Sequence, residues 1–224
     1  DYRTIFRGIQ LEFSPGGIRA VASDGYRLAL QDISAPQPVE EKAILPAWIA
    51  DEALRVLRGF EAEEVTLALG QGLLGLAFTY REEDGSEGEV RITLRLMEEK
   101  FPDYHRVIPT AFAGEVSLPK KPLEEALKRL SVLADRQNLR VDLKVAGDRV
   151  HLSTVGDYGY GEEELEAQST GQPMTLAYNA QYLLEAIAPI PNRVVLRFSA
   201  SHAPTLVLPG EATGYQAVVV PLRV

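Results

Sequence analysis

Glu115-Val116-Ser117-Leu118-Pro119 runs directly into Lys120-Lys121-Pro122-Leu123-Glu124-Glu125-Ala126-Leu127-Lys128-Arg129-Leu130-Ser131-Val132-Leu133-Ala134, and the fold is decided in this passage. Leu123, Ala126, Leu127, Leu130 and Ala134 fall on one face at helical spacing, and Pro119 or Pro122 suits a first helical turn. The passage reads as a short strand followed by an amphipathic helix. Such a helix is too short to be stable alone and has to pack on a sheet.

The same plan occurs twice more, at Ala43-Ile44-Leu45-Pro46 and at Met174-Thr175-Leu176-Ala177-Tyr178-Asn179. With Leu45, Leu118 and Leu176 aligned, the spacings are 73 and 58 residues, a period that marks internal repetition. In the first copy Pro46 opens the helix, Ile49, Ala53, Val56 and Leu57 face inward, and Gly59 stops it. In the third, Asn179 is a good N-cap, Tyr182, Leu183, Ala186 and Ile187 form the stripe, and Pro189 and Pro191 end it. Two alternating strands follow each helix: 65–69 and 73–78, then 139–145 and 150–153, then 194–198 and 205–208. The sequence therefore predicts an α+β fold of repeated strand-helix-strand-strand units, with helices on one face of antiparallel sheets. Residues 115–170 and 174–224 are expected to superpose about an approximate two-fold axis and to unfold together. Residues 1–33 supply the strands of a further repeat, over 5–13 and 18–30, with no helix before them. The chain reads as a fragment cut inside a repeat, with one domain over 1–110 and a second, complete one over 111–224.

With 46% hydrophobic and 25% charged residues, the chain is globular rather than disordered. No run approaches the roughly 18 apolar residues of a membrane span, and no charged-then-apolar leader opens the chain. A soluble, unexported, cytoplasmic protein with no membrane partner is expected. The absence of cysteine rules out disulfides, zinc fingers and thiol catalysis. The formal charge is −9, with 12 basic and 19 acidic residues over 1–110 and 11 and 13 over 111–224. That balance argues against tight, phosphate-driven nucleic-acid binding but leaves room for loose encirclement of DNA.

No catalytic constellation, metal site or cofactor motif is found. His105, His151 and His202 lie far apart, and none has a metal-ligand spacing. The acidic runs at 61–64, 82–84 and 162–164 read as turns or exposed edges. Gly156-Asp157-Tyr158-Gly159-Tyr160-Gly161 has neither a following amphipathic helix nor a Lys-Ser/Thr pair, and reads as strand or loop rather than a phosphate cradle. Another assembly is apolar. Tyr26 and Leu28, Pro102 and Val107, and Val218, Val220 and Leu222 would make a groove if gathered, with Arg27, Arg106 and Arg223 as polar fixers.

Three segments carry a family resemblance: Ala22-Ser23-Asp24-Gly25-Tyr26-Arg27-Leu28-Ala29, Phe101-Pro102-Asp103-Tyr104-His105-Arg106-Val107-Ile108-Pro109, and Val218-Val219-Val220-Pro221-Leu222-Arg223-Val224. In this order they resemble the bacterial sliding clamp, the β subunit of DNA polymerase III, from Asp1 to Val224. The resemblance implies a DNA-clamp-like fold holding most of a middle domain, a connector at 97–113 and a whole last domain. It implies a non-enzymatic processivity factor that tethers DNA polymerase III to DNA. It also implies docking of short linear motifs from the polymerase α subunit, the clamp loader, other polymerases and repair proteins. The docking residues carried over are Ser23, Gly25, Tyr26, Arg27, Leu28, Pro102, Arg106, Val107, Val218, Val220, Pro221, Leu222 and Arg223, with Asn179 and Tyr182 at the rim. Ser23 stands where Thr is usual and Tyr26 where His is common, while Val220, Leu222 and Val224 replace Met, Met and Leu. Arg55, Arg58, Lys120, Lys121, Lys128, Arg129 and Arg136 are the DNA-facing candidates, although Ala47-Trp48 stands where many clamps are basic. Val132 and Leu133 match positions at the head-to-tail interface of the family's dimeric ring. With a first domain absent, this chain is expected to be mainly monomeric. The alternative is a small-molecule-binding or hydrolytic α+β domain using the same groove, with Asp103, His105 and Arg106 as its polar groups.

Overall fold

The computed structural model describes residues 4–223. Val224 lies outside the described residues. Chain contacts divide the protein into two units, one comprising the residues up to Asp24 with Asp32–Pro102, the other Gly25–Gln31 with the residues from Asp103 onward.

In the first unit, β1 (Gly8–Ser14) and β2 (Gly17–Ser23) form an antiparallel hairpin. The third strand, β3 (Arg27–Ile33), starts after a break, and its residues up to Gln31 belong to the second unit. The single strand expected over 18–30 is thus two, because Gly25 takes φ +89°, a left-handed turn conformation that ends a strand and favours glycine. Ile5, placed in a strand by the sequence, is the buried residue of a 3-10 turn over Ile5–Arg7. The next strand, β4 (Glu41–Pro46), pairs with the other edge of β1, with Leu11 opposite Ala43. Helix α1 (Ala47–Gly59) follows at once. Its stripe is narrower than expected: Ala53 is buried and Ile49 packs on the core, but Val56 is exposed. Three strands then form one antiparallel sheet, β5 (Thr66–Gly70), β6 (Leu73–Arg81) and β7 (Glu87–Arg95). Leu74, Leu76 and Phe78 alternate inward from β6, as one-sided burial of a pleated strand requires.

The second unit holds two repeats. The first runs β8 (Gly114–Pro119), α2 (Lys120–Leu133), β9 (Arg140–Ala146), β10 (Arg149–Gly156) and β11 (Gly159–Glu166), with a short β12 (Gln168–Thr170) after it. The second runs β13 (Met174–Asn179), α3 (Ala180–Ile187), β14 (Arg193–Phe198), β15 (Thr205–Pro209) and β16 (Tyr215–Val219). Each helix is followed by three strands rather than the expected two.

The leading strands are exchanged. One sheet has β8 beside β14, β15 and β16, and the other has β13 beside β9, β10 and β11. Each repeat thus lends its first strand to the other's sheet, and neither sheet is complete without both. The pairings also correct the repeat alignment. Pro119 faces Arg193 and Asn179 faces Arg140, each at the start of its partner strand. Since Pro46, Pro119 and Asn179 each cap a helix, Leu45, Leu118 and Tyr178 are the equivalent residues, not Leu176.

Both helices and both sheets contribute to one core. Leu123, Ala126, Leu127 and Leu130 of α2 meet Leu183, Ala186 and Ile187 of α3 with Val116, Leu118, Leu143, Leu152, Leu196 and Phe198 from the strands. Full burial of each large apolar side chain contributes about 1.5–3 kcal/mol, so this shared core ties the repeats together. The glycine-rich hairpin is explained by packing. A Cβ on Gly156 would lie 1.9 Å from the Leu133 carbonyl oxygen, and one on Gly161 would lie 2.8 Å from Leu133 Cδ1. These glycines let the end of α2 lie directly on the sheet. Among the described residues, no helix is long and apolar enough to cross a membrane.

Candidate peptide-docking site

The terminal strand pairs with the residues after the Gly25 turn: β16 runs antiparallel to β3, with Val218 opposite Leu28 and Val219 opposite Arg27. Leu28 and Val218 are buried in that sheet, so they support the surface and do not line it. Past the strand, the chain crosses from one sheet to the other. The Val220 amide donates to the Tyr26 carbonyl at 2.9 Å and the Leu222 amide to the Ala177 carbonyl at 2.7 Å, while Arg140 Nη1 donates to the Arg223 carbonyl at 2.8 Å. Pro221 is buried. The terminal segment is therefore a strap between β16 and the outer edge of β13. A proline fits there because its missing N–H is not needed by either strand.

Deeper in the unit, the Tyr178 and Thr205 hydroxyls bond at 2.6 Å, joining β13 to β15. Burial pushes the Tyr178 phenol well above its ordinary pKa, an effect only partly offset by the bond to Thr205. Tyr215 donates to the Ala186 carbonyl at 2.5 Å, and burial pushes it up to about 12.

The α3 side of the surface is built from its cap. Asn179 Oδ1 accepts from the Gln181 and Tyr182 amides at 2.9 and 3.2 Å, satisfying two otherwise orphan donors at the helix start. The Tyr182 ring stacks with Tyr26, centroids 6.3 Å apart at 27°. The Arg27 guanidinium lies 4.5 Å from the Tyr182 ring centroid and pairs with Glu185. Gln181 Nε2 holds the other Glu185 oxygen at 2.9 Å. Tyr26 is 63% exposed and Val220 39%, so the outer face is aromatic and aliphatic.

Of the residues expected to dock a peptide, Tyr26, Arg27, Leu28, Asn179, Tyr182, Val218, Val220, Pro221, Leu222 and Arg223 come together in this one unit, next to Gly25. Arg106 and Val107 belong to the same unit, at and just beyond a 3-10 turn over Tyr104–Arg106. There Arg106 Nε donates to Asp103 at 2.9 Å, His105 lies against the buried Tyr104 ring, and Val107 is exposed. Asp103 and Arg106 thus satisfy each other at the surface, not an acid-base pair in a pocket. Ser23 and Pro102 belong to the first unit. Sequence reasoning missed Glu185, Gln181 and Arg140. Only Glu185 left a signal, one helical turn after Tyr182 and on the same side of α3.

The basic candidates are mostly engaged within the chain. Lys120 Nζ donates to the Ala188 carbonyl at 2.7 Å, Lys128 pairs with Glu124, and Arg55 pairs with Glu52. Arg129 makes a two-pronged contact to Glu163 at 2.8 Å, which lowers the Glu163 pKa. Arg136 lies 5.7 Å from the Tyr158 ring centroid. Lys121 and Arg58 are exposed. Val132 is 79% exposed, whereas Leu133 is half-buried, lying over Gly161.

Residues 105–223 match the family model for the C-terminal domain of the DNA polymerase III beta subunit, and residues 1–103 match the model for its central domain. The beta sliding clamp of Synechocystis is 28% identical across the whole chain, and that of Caulobacter vibrioides 30% across 92% of it. Among solved structures, the sliding clamp of Pseudomonas aeruginosa bound to griselimycin aligns with a TM-score of 0.89 at 27% identity, over all of this chain and 59% of that one. The beta subunit of Thermotoga maritima aligns at 0.86 with the same identity and shares. The chain thus spans 54–59% of the length of these relatives. With both of its halves matched by family models, the chain belongs to the DNA polymerase III beta subunit family, the bacterial sliding clamps.

Proposed function

We propose that this chain is the peptide-docking portion of a replicative sliding clamp, a non-enzymatic processivity factor of the bacterial cytoplasm. Its Tyr26–Tyr182–Val220 surface receives short linear motifs of the DNA polymerase III α subunit, the clamp loader, other polymerases and repair proteins. The observation that carries this reading is the convergence, in one unit, of the Gly25–Leu28 turn, the capped start of α3 and the terminal strap. An exposed aromatic and aliphatic strip beside a strand edge and a helix cap suits an extended peptide with apolar anchors. In the full-length protein, a head-to-tail homodimeric ring would use Val132 and Leu133 and encircle double-stranded DNA without reading its sequence. Lys121 and Arg58 are the better DNA-facing candidates, because Lys128, Arg129 and Arg55 already have carboxylate partners.

Calorimetry tests the docking reading. A short peptide carrying Gln followed by Leu and Phe anchors should bind with micromolar affinity, about −8 kcal/mol. Removing residues 220–224 should abolish most of it, and Val220→Asp should do so with the strap's backbone contacts kept. Equal binding by the intact, truncated and Val220→Asp proteins would overturn the assignment.

A further inference from the structure

We infer that Glu185 is a positioning residue of the docking surface: through Arg27 it pins the Tyr182 ring, and through Tyr182 it sets Tyr26, so the aromatic wall is formed before a partner segment arrives. The inference rests on the docking reading above and concerns what makes that surface bind.

The contacts form an ordered series. Gln181 Nε2 fixes one Glu185 oxygen at 2.9 Å, which directs the other to the Arg27 guanidinium. Arg27 is thereby kept 4.5 Å from the Tyr182 ring centroid, within the range where a cation is held by a π face. Tyr26 stacks on the same ring. Tyr26 projects from a turn and is 63% exposed, and the stack gives its ring a packed neighbour. Glu185 and Tyr182 are three residues apart on α3 and therefore neighbours on its surface. An exposed ion pair adds little stability, so what this one contributes is the placement of two rings. Immobilising rotamer-rich side chains at an interface opposes binding, and ordering them beforehand removes that penalty.

The test uses the full 224-residue chain and the Gln-Leu-Phe peptide, with calorimetry for affinity and stopped flow for rates. Fluorotyrosine labelling reports ring placement by fluorine NMR of the free protein, assigned through Tyr26→Phe and Tyr182→Phe. Glu185→Gln should bind about three- to tenfold more weakly, through faster dissociation, for one or two rings that now must be ordered on binding. Its melting temperature should be unchanged, and the Tyr26 fluorine signal should move toward that of a solvent-exposed tyrosine. The charge swap Arg27→Glu/Glu185→Arg restores an ion pair but puts a carboxylate beside the Tyr182 ring, so it should stay weak. Wild-type affinity in Glu185→Gln, or full rescue by the swap, would overturn the inference. Weaker binding with an unmoved Tyr26 signal would overturn it too, because Glu185 would then be touching the peptide itself. Failure of the wild-type chain to bind any such peptide would instead overturn the docking reading, and this inference with it.

Discussion

Tyr178→Phe removes one hydroxyl and leaves another, that of Thr205, buried without a partner. Both residues are fully buried, and the 2.6 Å bond between them links β13 of one sheet to β15 of the other. Orphaning a buried hydroxyl costs about 1–3 kcal/mol, so Tyr178→Phe should destabilise the second unit by about 2 kcal/mol. Thr205→Val orphans the phenol instead and should cost a similar amount. The double variant has no orphan: two matched apolar groups replace two matched polar ones, a change that is close to neutral in favourable cases. It should therefore cost no more than either single variant, with a coupling of about 2 kcal/mol between the sites. Urea unfolding followed by far-UV circular dichroism gives the three values, and hydrogen exchange of the β9 and β13 amides assigns the loss to this unit. Additivity of the single effects within about 0.5 kcal/mol would refute the reasoning.

The Tyr215 phenol is held neutral by burial, with its pKa raised to about 12 in the fold. Its contribution is complete below the ordinary tyrosine value near 10 and is lost as pH rises toward 12, so this group should lower stability by on the order of 2 kcal/mol across that window; Tyr215→Phe should remove that share of the fall in an alkaline unfolding profile and leave the share of the buried Tyr178 phenol. Asn179→Ala leaves the Gln181 and Tyr182 amides uncapped and should cost about 1 kcal/mol in urea unfolding, with Asn179→Asp restoring most of it. Gly156→Ala drives a methyl into the Leu133 carbonyl 1.9 Å away and should lower stability by at least about 2 kcal/mol in the same urea series. Gly59→Ala meets nothing within 4 Å and should be neutral or slightly stabilising there.

The three strand-to-helix junctions were legible because each changes from strand to helical periodicity at a Pro or Asn cap. The third strand of the first two repeats was not. On β7, Glu87, Glu89, Arg91 and Arg95 occupy outward positions, so its composition resembles a charged loop. On β11, Glu162, Glu163 and Glu164 share the strand with three glycines or tyrosines, and the pattern that reveals it is its pairing with β10. The exchange of β8 and β13 between sheets also escaped the sequence, because periodicity gives the face of a strand but not its neighbour. The two-residue shift of the alignment, from Leu176 to Tyr178, follows instead from matching the caps Pro46, Pro119 and Asn179. At the site, the terminal strap and the Tyr26 turn could be named from motif residues. Burial of Leu28 and Val218 could not, since both alternate like groove-lining residues but belong to the β3–β16 core. Arg140 depends on a contact between distant elements that no local pattern marks, and the only mark of Glu185 is its place one helical turn after Tyr182.

Amide chemical-shift mapping of the labelled chain on titration with the Gln-Leu-Phe peptide tests the central claim most directly. The account predicts saturable shifts in Gly25–Leu28, Asn179–Glu185 and the Val218, Val219, Val220, Leu222 and Arg223 amides, with β5, β6 and β7 unmoved. Saturable shifts confined to β10 and β11, or to the cavity beside Phe13, Leu67 and Leu96, would contradict it.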